Sequence, residues 1–308
     1  MTRVATFGNY QSALLDLMSA QTRAAEAQDR VSTQKNATDL TGYGRQTETL
    51  TALKGAQSRI QGFMNTSEAV SSRLITQDIA MNQVSDGVAA VRQAIGNALA
   101  SSSAGSLMLE MEGQFQTIRG GLTMRHEGSY LFAGAATTTP PIAITNLSEL
   151  AAAPSVASVF KNDTLKTVSR VAEGTTLETG FLADELGTDI FQILRDIQIY
   201  SAGPNGPLTG KLNETQKDFL TTQIGLLDQA GSGVIDKIAT TGSLANQVDN
   251  LTASHEAQLN SLDKLVSDRT DADMAKAVTD LQLSQIAIQA SAQVISQLRD
   301  VSLLNFLR

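Results

Sequence analysis

The chain has 308 residues, a formal net charge of −8 and no cysteine or tryptophan; 42% of its residues are apolar but only 4% are aromatic. The missing cysteines exclude thiolate metal sites, iron–sulfur clusters and thiol catalysis. The acidic balance, with no Lys/Arg cluster, argues against a nucleic-acid or membrane-surface binder. No stretch of about 20 apolar residues marks a membrane span, and Met1–Tyr10 lacks the continuous apolar run of a cleavable secretory signal.

In chain order, residues 9–33 read as a helix. Tyr10, Leu14, Leu17, Gln21, Ala24, Gln28 and Val31 recur at three- and four-residue steps, the mark of a coiled-coil seam. Residues 36–45 break that pattern with Asn36, Asp39, Gly42 and Gly44. A long helix is expected over 46–100, where every seventh residue reads Leu53, Ile60, Ser67, Leu74, Met81, Val88 and Ile95. A strict seven-residue repeat lays one stripe along a helix and buries it against another helix. A further helix is expected over 106–126.

The segment Gly128–Gly134, with β-favouring Tyr130, Leu131 and Phe132 between glycines, reads as an extended piece or hairpin. All five prolines lie between 140 and 207, so the interruption of helix is confined to the middle. Val156–Phe160, Lys166–Val171 and Thr175–Thr179 read as strands, and Asp189–Tyr200 as a helix. Helical pattern resumes near 213, with Leu227, Val234, Val248 and Leu262 on one register, and a break is expected at Ser267–Thr270. The last helix, 271–304, repeats Met274, Leu281, Ile288 and Ile295 at sevens, with Thr270 or Asp271 as its cap. The predicted fold class is therefore mainly α: long antiparallel coiled-coil helices from both termini, with a small β-containing central insert.

Catalytic constellations are weakly represented. His126 and His255 are far apart and read as packing residues. Asp268, Asp271 and Asp273 fail the spacing of a calcium loop, which needs Gly at its sixth position and Glu at its twelfth. Asp184 and Glu185 are adjacent carboxylates with no other sign of a catalytic site. No phosphate-binding or dinucleotide-binding glycine motif occurs. No enzyme activity, cofactor or metal is expected.

The run Asp271–Ala277, with Leu281, Gln285, Gln289-Ala290-Ser291 and Ser302–Leu307, resembles the C-terminal region of bacterial flagellins and hook-associated proteins. Leu14-Leu15, Gln21 and Arg30–Lys35 resemble their N-terminal signature. Gly128–Gly134 followed by Thr139-Pro140-Pro141 is similar to the hook–filament junction branch of that family. The continuation Asn36–Asp39 departs from the family pattern in the spacer.

The resemblance implies a structural adaptor of the flagellum, exported by its type III route and located outside the cell. It implies homo-oligomers in contact with neighbouring hook-associated proteins and flagellin, and an export chaperone as partner. It also implies an organisation: 1–40 with 265–308 as an inner coiled-coil domain, 41–142 with 201–264 as a helical rod domain bearing a hairpin, and 143–200 as a small outer α/β insert. The expected assembly residues are Leu14, Leu17, Val31, Leu281, Ile288, Ile295, Leu298, Leu303, Leu304 and Phe306. A filament-forming flagellin and a cytoplasmic signalling coiled coil are the competing readings; the second leaves the β insert unexplained.

Overall fold

The computed structural model describes residues 2–304, with side-chain surroundings for residues 8–298. In chain order the elements are α1 (Thr2–Thr33), a 3-10 turn at Thr41–Gln46, α2 (Thr47–Ser101), α3 (Leu107–Leu122), β1 (Arg125–His126), β2 (Ser129–Tyr130), α4 (Leu147–Ala152), a 3-10 turn at Val156–Val159, β3 (Val168–Ala172), β4 (Thr175–Glu178), α5 (Ala183–Ala202), α6 (Glu214–Thr270) and α7 (Met274–Leu304). The fold is mainly α with two small antiparallel hairpins, β1–β2 and β3–β4. The chain divides into two compact units, Met1–Arg59 with Gln258–Arg308, and Ile60–Ala257.

In the first unit α1 packs against α7. The pair is antiparallel, since Arg30 meets Asp280 (3.5 Å) and Lys35 meets Asp271. The break between α6 and α7 falls at 271–273. The cap is not the one expected. Asp273 Oδ1 accepts the N–H of Lys276 (3.1 Å) and so closes the first turn of α7. Asp271 cannot serve, because its carboxylate is taken by Lys35 and Ser267.

The second unit holds the thick core. From Ser67 onward the seven-residue stripe of α2 is the buried one, with Leu74, Met81, Val88 and Ile95 at its centre. α3 lies against it. Gly121 permits the close approach, because a Cβ there would stand 2.7 Å from the Ala80 carbonyl and 2.8 Å from Val84 Cγ2. Phe115 and Phe160 each place their rings 5.4 Å from that of Phe191 on α5, and so tie the insert to α3. α6 runs antiparallel to α2 here, with Phe63 stacked on His255 (5.8 Å) and Arg92 paired with Asp228.

Gly128 closes a two-residue turn between β1 and β2, so only the first part of the Gly128–Gly134 segment is hairpin. Glu127 and Gly128 both have positive φ (49° and 82°), which suits the twist of the flanking strands. Beyond it Leu131, Phe132 and Ala133 enter the core. Gly134 (φ 63°) passes so close to the Asp163 carbonyl that a Cβ would be 2.6 Å from it. No side chain fits there.

Three local expectations change. Val156–Val159, within the expected strand Val156–Phe160, is a 3-10 turn, because Ser155 and Ser158 form a reciprocal capping box around it. Leu147–Ala152, left unassigned by the sequence pattern, is a helix capped by Asn146, whose Oδ1 accepts the Glu149 N–H at 2.8 Å. The helix expected over 106–126 ends at Leu122, and Arg125–His126 form β1 instead.

Adding a methyl at Gly121 should lower the stability of the second unit by about 1–3 kcal/mol through overpacking. Gly113→Ala in the same helix meets nothing within 4 Å and should instead stabilise by about 0.5–1 kcal/mol. Calorimetry of the two variants checks the sign of each.

Candidate assembly interface

The two terminal helices meet through a seam written in both sequences. On α1 the inward positions are Ala13, Leu17, Ala20, Ala24, Ala27 and Val31; on α7 they are Ala277, Leu281, Ser284, Ile288, Ser291, Ile295 and Leu298. Both sets alternate steps of four and three, the seven-residue period of a coiled coil. The fully buried members are small: Ala13, Ala20, Ala27, Ala277 and Ser284. Leu17, Val31, Leu281, Ile288, Ile295 and Leu298 are half-buried at the flanks of the seam.

Small residues bring helix axes together but remove little apolar area from water, and each buried methylene-sized group contributes only about 0.8 kcal/mol. The bulkier apolar side chains remain outside. Leu15 (63% exposed) and Met18 continue from Leu14 on α1; Leu283 (60%), Ile286 (61%) and Val294 line α7. Leu14 is thus part of the exposed face and not of the seam. Leu303 and Leu304 end α7, their side-chain surroundings undescribed, and Phe306 lies outside the described residues.

Leu15, Met18, Leu283 and Ile286 were not singled out by sequence reasoning. Their signal was present: each sits one or two places off a seam position, so an apolar residue there has no intramolecular partner. Exposed apolar surface repeated along both helices of one pair marks a protein–protein contact face.

One end of the pair is clamped by polar contacts. The Asn36 N–H donates to the Thr270 carbonyl (2.7 Å), the Ala272 N–H to the Gln34 carbonyl (2.9 Å), and Asn36 Nδ2 to the Asp271 carbonyl (2.8 Å). Lys35 Nζ donates to the Asp271 carboxylate, as does the Ser267 hydroxyl. The Lys35 hydrogen bond, with help from Ser267 and Thr270, holds the Asp271 carboxyl down to about 2.

The other titratable groups named from the sequence are engaged locally. Asp184 accepts from Asn162 Nδ2 (2.9 Å), and Glu185 pairs with Lys166 (2.9 Å). His126 Nδ1 lies 3.0 Å from the Thr76 hydroxyl, while His255 is buried against Phe63. Among the described residues no group of three or more His, Asp or Glu is placed to hold a metal ion, and no helix is long and apolar enough to cross a membrane.

Residues 224–307, which take in most of α6 and all of α7, match the bacterial flagellin C-terminal helical region. No curated protein matches the chain.

Among solved structures, one from Vibrio parahaemolyticus described as a flagellar hook-associated protein is similar over 73% of this chain and 97% of that one, with 16% identity and a TM-score of 0.59. FlgL of Bacillus cereus is similar over 70% and 98%, with 11% identity and a TM-score of 0.56. FlgL of Xanthomonas campestris is similar over 70% and 99%, with 15% identity and a TM-score of 0.56. At such identities the likeness is one of fold. The matched stretch includes α7, and therefore one side of the seam and the exposed Leu283, Ile286 and Val294.

The Asp271 carboxyl is depressed from 3.8 in the folded clamp. Its contribution is therefore complete above the unfolded value and is lost as pH falls from about 3.8 towards 2. Circular dichroism of acid unfolding should show the α1/α7 pair weakening in that window. Asp271→Asn should remove that pH dependence while making the clamp weaker at neutral pH.

Proposed function

We propose that this chain is a non-enzymatic structural component of the bacterial flagellum, an adaptor that joins hook to filament through assembly of its terminal helices. The observation that carries the reading is the set of large apolar side chains left exposed along both α1 and α7. α7 lies within the stretch that matches the flagellin C-terminal region, and some 70% of the chain shares its fold with a protein described as flagellar hook-associated and with FlgL. In the proposed assembly, residues 1–40 with 265–308 form the inner layer, 41–142 with 201–264 the surrounding helical layer, and 143–200 the outward insert.

Leu14, Leu15, Met18, Leu283, Ile286 and Val294 then lie against neighbouring copies, hook-associated proteins or flagellin. The partner helices finish the burial that the alanine seam leaves incomplete. An export chaperone covering the same apolar face before assembly is consistent with this chemistry. The location follows as the flagellum outside the cell, at the hook–filament junction. The flagellin-type C-terminal region also favours a second reading, a flagellin that forms the filament itself. Imaging of a tagged chain separates them: a short zone at the hook tip supports the adaptor, and label along the whole filament supports the flagellin.

Two outcomes test the assembly mechanism. Hydrogen exchange on the isolated chain should be fast in α1 and α7 and slow in the Phe115–Phe191 core, since a seam of alanines barely offsets the entropy of ordering two long helices. Strong protection of both end helices in the isolated chain would contradict the mechanism. Ile288→Asp should abolish incorporation into flagella while leaving the melting of the second unit unchanged, because the charge has no partner at the seam.

A further inference from the structure

The second unit carries a groove of about 490 Å³ between α2 and α6. Met64 and Ile75 supply its apolar surface; Glu68, Asp249 and Glu256 supply three carboxylates, and no Lys or Arg lines it. None of the three acids is in an ion pair among the described residues. Ser67 lies at the groove wall, fully buried, and its Oγ has no hydrogen-bond partner. An open acidic groove with an unsatisfied hydroxyl at its wall is suited to a cationic and apolar occupant.

The complementary surface stands elsewhere on the same unit. Leu165 (64% exposed) and Val168 (58%) project from β3 and the loop before it, and Lys161 and Arg170 in the same stretch of chain are exposed. The two surfaces do not face each other. The hairpin packs on Val70 and Leu74 of α2, and Arg170 lies over the Phe63 ring. Met64, Glu68 and Ile75 lie roughly 120° further round α2, at 3.6 residues per turn.

We infer that the Lys161–Arg170 ridge of one copy docks into the Glu68/Glu256 groove of the next copy. Leu165 and Val168 cover Met64 and Ile75, and Lys161 and Arg170 meet the three carboxylates. Because ridge and groove are different patches on different sides of one unit, the contact is head-to-tail, and its repetition builds a closed ring or a helical array. The inference rests on the reading that copies of this chain assemble, and it names a second contact independent of the terminal helices.

The chain has no cysteine, so single introduced thiols report unambiguously. Full-length Ser72→Cys (groove) and Thr164→Cys (ridge) proteins, mixed at high concentration and mildly oxidised, should give a mixed disulfide dimer in excess of either protein alone. Glu68→Lys with Glu256→Lys on the groove copy should reduce that yield about fivefold. Lys161→Glu with Arg170→Glu on the ridge copy should restore it. A parallel mixture of Leu15→Cys and Ile286→Cys reads contact through the terminal helices. If that pair links while the groove pair does no better than Leu109→Cys, a thiol on exposed surface elsewhere, the docking is wrong and the assembly reading survives. If neither pair links, both fail. Yield that ignores the charge reversals also overturns the docking.

Discussion

Two helices that touch through alanine approach closely and hide little. The α1/α7 seam is built in this way: Ala13, Ala20, Ala27 and Ala277 are buried, while Leu15, Met18, Leu283 and Ile286 are not. Burial of an alanine methyl contributes far less than burial of a leucine, yet each ordered residue costs roughly 1–2 kcal/mol of backbone entropy. A seam of this composition specifies which helices pair and in what register, but leaves most of the available apolar stabilisation unclaimed. The rest of the proposed role depends on that imbalance, because the unclaimed part is what a neighbouring molecule can supply.

The clamp at residues 34–36 and 270–272 gives the weak seam a fixed register. Backbone hydrogen bonds from Asn36 and Ala272 cross between the two connections, and the Lys35–Asp271 pair adds charge-assisted contacts at a position that remains solvated. Exposed ion pairs contribute little to stability alone. Here the pair is joined to three further hydrogen bonds that define one alignment. Alignment matters more than strength in this case, since a slip of one residue along α7 would turn Leu281 and Ile288 away from the seam.

Much of this was legible from residue spacing. The seven-residue stripes mark the inward face of α2 from Ser67 and of α7 from Leu281, because period 3.5 has one structural meaning on a long helix. The hairpin was half legible: β-favouring Tyr130 after Gly128 marked its second strand, while Arg125 and His126, its first strand, read as the end of a helix. What failed to show was decided by partners distant in sequence or by side chains that compete with the backbone. Val156–Val159 is rich in β-branched residues, yet Ser155 and Ser158 hold it in a turn. The α7 cap went to Asp273 because Lys35, more than 230 residues away, claims Asp271. In α6 the register marked by Leu227, Val234 and Val248 also includes Thr241 and His255, polar residues that a search for apolar stripes passes over; both are buried. The exposed apolar residues of α1 and α7 were missed for a related reason. Periodicity finds residues that share a stripe, whereas Leu15 and Ile286 matter because nothing in their own chain covers them.

The contrast between the two units carries the argument to its last step. In the second unit Phe115, Phe132 and Phe191 are fully buried, and the aromatic contacts link α3 and α5 across the insert. That core is complete within one chain. Along the α1/α7 seam the fully buried residues are small, while Leu15, Met18, Leu283 and Ile286 are exposed. A protein that must remain folded before it joins an assembly, and must not polymerise through its whole surface, gains from separating these properties. The thick core maintains a folded body, and the thin seam presents a face whose burial waits for a neighbour. Enlarging the buried alanines would strengthen the pair but force its axes apart, changing the spacing at which Leu15 and Ile286 meet that neighbour. The small residues are therefore a geometric requirement of the contact face as much as a limit on its stability.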